Sequence, residues 1–358
     1  MSTIQTGNWS PPGNEMRRIC AALVLAASIV SNAVSAEPVH KLLSWDALDG
    51  WSDDDHGAAM AVFLETCGDL DEDPWGPICA FARSQPDAKS FFETLFHPVL
   101  IEDGEPALFT GYYEPELRGS RVRTDRFRYP LHQRPPEAPR SGAWYTRAQL
   151  ETSGVLRGRG LELVWLDDPV DKFFLQVQGS GRIRFSDGQG MRVGFGGKNG
   201  HQYRSVGREL VRRGYFQAHQ VSAGAIKRWV RQNPAEGQAL LHHNPSYVFF
   251  REVTKVPANK GPLGAMNRSV TAGRSLAVDP SFVPLGAPVW IEKRGANPIR
   301  RLMMAQDTGS AIKGAQRADI FYGTGDEAGR EAGRIRDPGR LVVLLPIDIA
   351  LAKAGIEN

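Results

Sequence analysis

Cysteine is scarce in this chain, with three residues in 358. No CxxC pair, no HExxH and no paired His/Cys cluster occurs, so the sequence carries no signal for a bound metal. Long basic runs are missing too. A net charge of +3 and a pI near 8.7 are mild, and exclude the charged stripe that tracks nucleic-acid phosphates. The glycines between Gly194 and Gly200 lack the spacing of a phosphate-binding loop, so no nucleotide and no other cofactor is expected. There is no internal repeat, and no low-complexity segment past the N-terminus.

What is present is ordinary globular material, 41% hydrophobic and 23% charged. Glycine (38) and proline (24) are plentiful, and with the short Val/Ile/Phe/Tyr runs they imply a turn-rich β protein. The N-terminus is different. Met16-Arg17-Arg18, the apolar stretch Ile19 to Val34 and the small-residue end Val34-Ser35-Ala36 have the layout of a secretory signal over residues 1–36, with Met16 as a second candidate start. Retention of this segment as an anchor is the alternative. Cys20 precedes the apolar run, the wrong place for a lipid-bearing cysteine. Export to an oxidising compartment is therefore expected, without lipid attachment at Cys20. In that oxidising compartment Cys67 and Cys79 are expected to form a disulfide, worth on the order of 2–3 kcal/mol, the alternative being two buried thiols.

Along the chain, residues 38–100 carry helical spacings, such as Ala58, Val62 and Phe63, and Phe91, Phe92, Leu95 and Phe96. From Leu108 the pattern turns to strands: Leu108–Tyr113, Phe173–Val177 and Ile183–Phe185 read as β runs. Helices are expected at Ser205–Tyr215 and Ala223–Gln232. A second β block follows, with strands at Tyr247–Glu252, Ser275–Val278, Pro288–Glu292, Leu302–Gln306, Ala318–Tyr322 and Leu341–Leu345. The fold class expected is mainly β with helical decoration, in two domains facing one another across a groove.

The chemistry-bearing stretch is Arg301 to Gly325. An apolar strand ends in Asp307, a small-residue turn carries Gly309 and Gly314, and Asp319 lies between Ala318 and Ile320 in the next apolar run. Apolar surroundings raise a carboxyl pKa, as a general acid requires. An unshifted Asp is protonated in only about one molecule per thousand at pH 7. Aspartates at strand ends also cap turns with no further role, and Asp279 before Pro280 has the form of a turn starter.

The motifs Ala277-Val-Asp279-Pro, Pro284-Leu-Gly286, Asp307-Thr-Gly-Ser-Ala-Ile-Lys-Gly314 and Arg317-Ala-Asp319-Ile-Phe resemble the three-aspartate cell-wall domain, a double-psi β-barrel module. Thr110-Gly-Tyr-Tyr-Glu-Pro115, Tyr129 to Pro136, Gln176-Val-Gln-Gly-Ser-Gly181, Gly197 to Ser205 and Asn244 to Phe250 resemble the membrane-bound lytic murein transglycosylase A family, in the same order along the chain. Ser310 stands where the motif commonly has a second glycine. The resemblance implies a double-psi barrel from 37–113 and 251–358, with an inserted β-rich domain at 114–250 and the glycan in the groove between them.

The resemblance further implies cleavage of the MurNAc-β-1,4-GlcNAc bond of peptidoglycan without water, leaving 1,6-anhydroMurNAc ends. Asp319 is the expected acid and then base, and Asp307 the supporting carboxylate. One carboxylate suffices because the tethered C6 hydroxyl replaces the nucleophile that hydrolases must supply. Tyr112 and Tyr113, Gln178, Ser180, Asn199, Tyr203 and Asp279 are the candidate substrate-binding residues. Tyr-Tyr on a strand sends one ring to the core, and Gln178 and Ser180 are as fit to satisfy turn backbone as to touch sugar. His201 has no nucleophile near it in sequence. The expected partners are peptidoglycan glycan strands, with other wall enzymes as candidates, and the chain is expected to be a monomer. The rival readings are an inverting β-glycan hydrolase with Asp307 or Asp279 as base, and a non-catalytic wall-binding module.

Overall fold

The computed structural model describes residues 37–70 and 74–356; the expected export signal lies outside them. Strand β1 (Val39–Leu42) leads to helices α1 (His56–Thr66), α2 (Trp75–Ala82) and α3 (Ala88–Leu95), then to β2 (Phe96–Glu102) and β3 (Leu108–Glu114). The chain crosses at Pro115 into a second sheet made of β4 (Glu116–Ser120), β5 (Tyr129–His132), β6 (Glu162–Leu166), β7 (Gly181–Arg184), β8 (Gly190–Lys198) and β9 (Val248–Glu252). Between those strands lie α4 (Arg147–Thr152), α5 (Pro169–Gln178), α6 (Val206–Arg212), α7 (Ala223–Gln232) and α8 (Pro234–His243). The chain then rejoins the first sheet with β10 (Ser275–Val278), β11 (Pro288–Lys293), β12 (Ile299–Thr308), β13 (Arg317–Thr324), β14 (Arg336–Asp337) and β15 (Gly339–Pro346). Helix α9 (Gly325–Ala332) follows β13 and α10 (Ile347–Lys353) follows β15.

The first sheet has nine strands in the order β1-β2-β15-β11-β12-β10-β13-β3-β14. Most pairs are antiparallel, but β10 with β12 and β13 with β3 are parallel. This interleaving of the two ends of the chain is consistent with a double-psi barrel. One face packs on α1–α3 through Trp51, Phe63, Phe91, Phe92 and Trp290, and the other encloses Val99, Phe109, Leu276, Ile320 and Val343. Cys67 and Cys79 are disulfide-bonded and tie the end of α1 to α2. The second sheet, β5-β6-β4-β7-β8-β9, closes over Leu131, Val164, Ile183 and Phe250. Among the described residues no helix is long and apolar enough to cross a membrane.

The run Phe173–Val177 is helical, not a strand, because its flanks carry helix signals that outweigh its aromatic and β-branched content. The Asp168 side chain accepts from Val170 N at 2.7 Å, Pro169 opens the first turn, and Gly179 ends the helix at φ 80°. Phe173 then buries among the helices with Leu210 and Leu240, while Leu175 reaches the second sheet.

Glu114, the last residue of β3, is fully buried where the chain changes sheet. Arg182 Nε and Thr324 Oγ1 donate to its Oε2 at 2.8 and 2.9 Å, and Arg192 Nε lies 2.9 Å from its Oε1. Arg182 and Arg192 stand on strands of the second sheet and Thr324 on the first, so one carboxylate fastens both sheets at the crossing.

Candidate active site

Strand periodicity builds the site. On β13, Ala318 and Ile320 enter the core of the first sheet, which leaves Asp319 and Phe321 on the opposite face. On β10, Leu276 and Val278 enter the same core and Ala277 takes the other face; on β3, Phe109 goes in, and Thr110 and Tyr112 stay out. Asp307 joins them through a bulge. Leu276 pairs with Ala305 but Ala277 pairs with Asp307, so Gln306 is an extra residue in β12. Without it Asp307 would follow Met303 and Ala305 into the core.

Asp319 is half-buried. Its Oδ1 accepts from Thr110 Oγ1 at 2.6 Å, and Thr110 Oγ1 in turn accepts from Arg317 Nη2 at 2.8 Å. Arg317 is itself held by the carbonyls of Leu108 and Ala318. This relay fixes the carboxyl plane and leaves Oδ2 without a protein partner among the described residues. Burial pushes the Asp319 pKa up, against the opposing pull of the Thr110 hydrogen bond and the Arg317 charge.

Asp307 is held more fully. Its Oδ1 accepts from Thr308 N at 2.8 Å and Ala265 N at 3.0 Å, and its Oδ2 accepts from Tyr112 OH at 3.0 Å. Close approach at Gly264 permits this: a Cβ there would meet Gln306 O at 2.6 Å and Asp307 Cβ at 3.3 Å. Burial raises the Asp307 pKa to about 6; its three donors oppose the shift and the Asp319 charge adds to it. Burial and the Asp307 charge lift Tyr112 well above its ordinary value, so the phenol stays a donor.

These groups form the floor of a cleft of about 150 Å³ that takes Tyr112, Ala277, Asp307 and Asp319 from the first sheet and Gln178, Tyr203 and Ser246 from the second sheet's side. Gln178 lies at the end of α5 with its Oε1 accepting from Tyr113 N at 3.1 Å, so its amide nitrogen is the free group. Ser180 is half-buried in the turn before β7 and is not a lining residue of this cleft.

Besides Ser180, three expected substrate contacts lie outside this cleft. Tyr113 takes the strand parity opposite to Tyr112 and lines a separate polar groove with Glu116, Asp171 and Lys227. Asn199 is 1% exposed, and its amide is spent on backbone: Nδ2 donates to the carbonyls of Tyr145 and Pro245 and Oδ1 accepts from Tyr247 N, all at 2.8 Å. Asp279 anchors the loop after β10, accepting from Ser281 N, Gly314 N and Lys313 Nζ at 3.1–3.2 Å. Tyr112, the other tyrosine of the expected pair, is the one that reaches the cleft, and Thr110 is a site residue that the Thr110–Pro115 motif did not single out. Strand parity narrows that motif to two alternatives, and only the pairing with β13 chooses between them.

A mixed nine-stranded sheet bearing a carboxylate pair, with residues from a second sheet's side lining the same cleft, has the form of a three-aspartate-domain protein. Two family models agree, one described as the MltA specific insert domain over residues 108–251 and one as the 3D domain over residues 274–345. The chain is 37% identical over 246 residues to membrane-bound lytic murein transglycosylase A of Escherichia coli K12; that match takes in 66% of this chain and 65% of the relative. The crystal structure of a membrane-bound lytic murein transglycosylase from Agrobacterium tumefaciens superposes with a TM-score of 0.79 at 32% identity, over 88% of this chain and 99% of that one. E. coli MltA with bound chitohexaose gives 0.67 at 29% identity, over 83% and 90%. The chain belongs to the membrane-bound lytic murein transglycosylase A family.

Proposed function

We propose that this chain is a peptidoglycan lytic transglycosylase that cleaves the MurNAc-β-1,4-GlcNAc bond without water and leaves 1,6-anhydroMurNAc ends. The observation that carries the reading is Asp319, with one oxygen clamped by Thr110 and the other unengaged at the cleft floor. Its raised pKa keeps a proton available for donation. Asp319 gives that proton to the glycosidic oxygen as the bond from C1 to that oxygen breaks. The C6 hydroxyl oxygen then bonds to C1 and its proton passes to the Asp319 carboxylate, which restores the starting state. Intramolecular attack supplies the proximity that a second enzymatic group provides in hydrolases.

In this reading Asp307 orients a substrate hydroxyl while Tyr112 and two backbone amides hold it in place. Asp279 is committed to its loop by Ser281, Gly314 and Lys313, which disfavours it as the base of an inverting hydrolase. The relative crystallised with chitohexaose supports a β-1,4-linked glycan as the occupant. We read the chain as two domains, 37–113 with 251–358 and 114–250, acting as a monomer in the periplasm.

Mass spectrometry of muropeptides after digestion tests this. Anhydro products from the native protein and none from Asp319→Asn are expected; reducing ends from the native protein would establish a hydrolase instead.

A further inference from the structure

A larger cavity, of about 710 Å³, lies on the second sheet's side and plays no part in the mechanism above. That volume is in the range of roughly 300–1,000 Å³ typical of ligand pockets. At its base Arg147 and Lys172, only 2% and 7% exposed, share a single carboxylate: Arg147 Nη1 and Lys172 Nζ lie 3.3 and 3.4 Å from Glu151 Oε1. Burial favours neutral Glu151, yet Lys172, His242 and Arg147 together hold its pKa well below the usual carboxylate range, so it is an anion. Two buried cations against one anion leave a positive charge uncompensated, a costly arrangement unless something answers it. The Nε of Arg147 is also buried with no hydrogen-bond partner among the described residues.

The mouth repeats the pattern. Arg123, Arg128 and Arg157 line it, are exposed, and make no ion pair among the described residues. Glu162 is the other acidic lining residue. Between mouth and base the walls include Tyr129, Leu156, Trp165 and Phe173. Cations at both depths with apolar walls between them suit a flexible chain bearing two or more carboxylates separated by methyl and methylene groups. A compact inorganic anion would leave the walls unused.

Arg147 gives the cavity a neighbour. It also borders the cleft that holds Asp307 and Asp319, and it donates to Gln176 Oε1 and the Ser246 carbonyl, two residues of that cleft's lining. We propose that this cavity binds the acidic peptide carried by the glycan substrate; the choice of peptide rests on the function proposed above.

Isothermal titration of the full chain tests the proposal, with Asp319→Asn used where turnover must be prevented. The probes are a disaccharide-peptide fragment of peptidoglycan, the same disaccharide without peptide, the detached peptide, and that peptide with its carboxylates amidated. The detached peptide should bind, amidation should abolish binding, and the double substitution Arg123→Ser with Arg157→Ser should weaken it by roughly tenfold or more. The same double variant should cleave peptide-free glycan at the native rate. No binding of the detached peptide at millimolar concentration, equal binding of the amidated form, or native affinity in the double variant would each overturn the proposal. Because the detached peptide contains no glycosidic bond, its binding is judged independently of the reaction. The rim arginines are exposed, so their replacement leaves the fold intact, whereas Arg147→Met removes a buried ion and serves only as a second variant.

Discussion

Asp307 and Asp319 are paired to the same residue: Ala277 faces Asp307 across one edge of β10 and Asp319 across the other. The two carboxylates therefore stand two strand spacings apart, roughly 10 Å between Cα atoms, with only a methyl group between them. Ala277→Val should intrude on that gap. We expect a loss of turnover of roughly a hundredfold for a cost of about 1–3 kcal/mol in stability. Turnover by a variant of native melting temperature decides it; a native rate would show that the space above Ala277 is not used.

Thr110→Val removes the hydroxyl that holds Asp319 Oδ1 and receives Arg317. Because that hydrogen bond lowers the Asp319 pKa, its loss should raise it. The pH-rate profile should then keep its activity to higher pH on the alkaline limb, while the maximal rate falls by about tenfold as the carboxyl loses its orientation. An alkaline limb that stays where it was would remove Thr110 from the site.

Asp307 makes stability depend on pH in a defined direction. In the folded chain it keeps its proton up to about pH 6, against an ordinary value of 3.8 when unfolded. Its contribution is fully present below pH 3.8 and is lost as pH rises through about 6, so this group favours folding on the acid side. Between pH 5 and 7.5, Asp307→Asn should lose less thermal stability than the native chain. Identical changes in Tm for the two proteins would contradict the burial assigned to Asp307.

Glu114→Ala should be the most destabilising of these substitutions. It leaves Arg192 near the sheet crossing without its carboxylate and removes the acceptor of Arg182 and Thr324. Breaking a buried pair from one side costs about 3–5 kcal/mol. Urea denaturation measures it, and a change under about 1 kcal/mol would mean that water replaces the carboxylate at no cost.

Much of the first sheet was legible because its strands are short, apolar and bounded by turns, and Ser275–Val278 coincides with β10; on the second sheet's side the expected helix Ala223–Gln232 coincides with α7. Asp319 stood out because alternation around it has a period of two, which any register preserves. Tyr112 and Tyr113 could not be told apart, since the face each takes depends on a strand about two hundred residues away. Asn199 is a polar residue whose partners at Tyr145, Pro245 and Tyr247 are all distant in sequence, so a scaffold amide was indistinguishable from a sugar contact. Phe173–Val177 looked like a strand because composition was read without the cap at Asp168 and the stop at Gly179.

The hydrogen bond from Thr110 to Asp319 joins residues 209 positions apart. During synthesis strands β2 and β3 of the first sheet wait for their partners among β13–β15 while all of the second sheet is made, and contacts of such long range form slowly. No shortened product ending before residue 319 can form the Thr110–Asp319 pair. Assembly order thus sets the earliest moment at which Thr110 can meet Asp319, after the second sheet has been made.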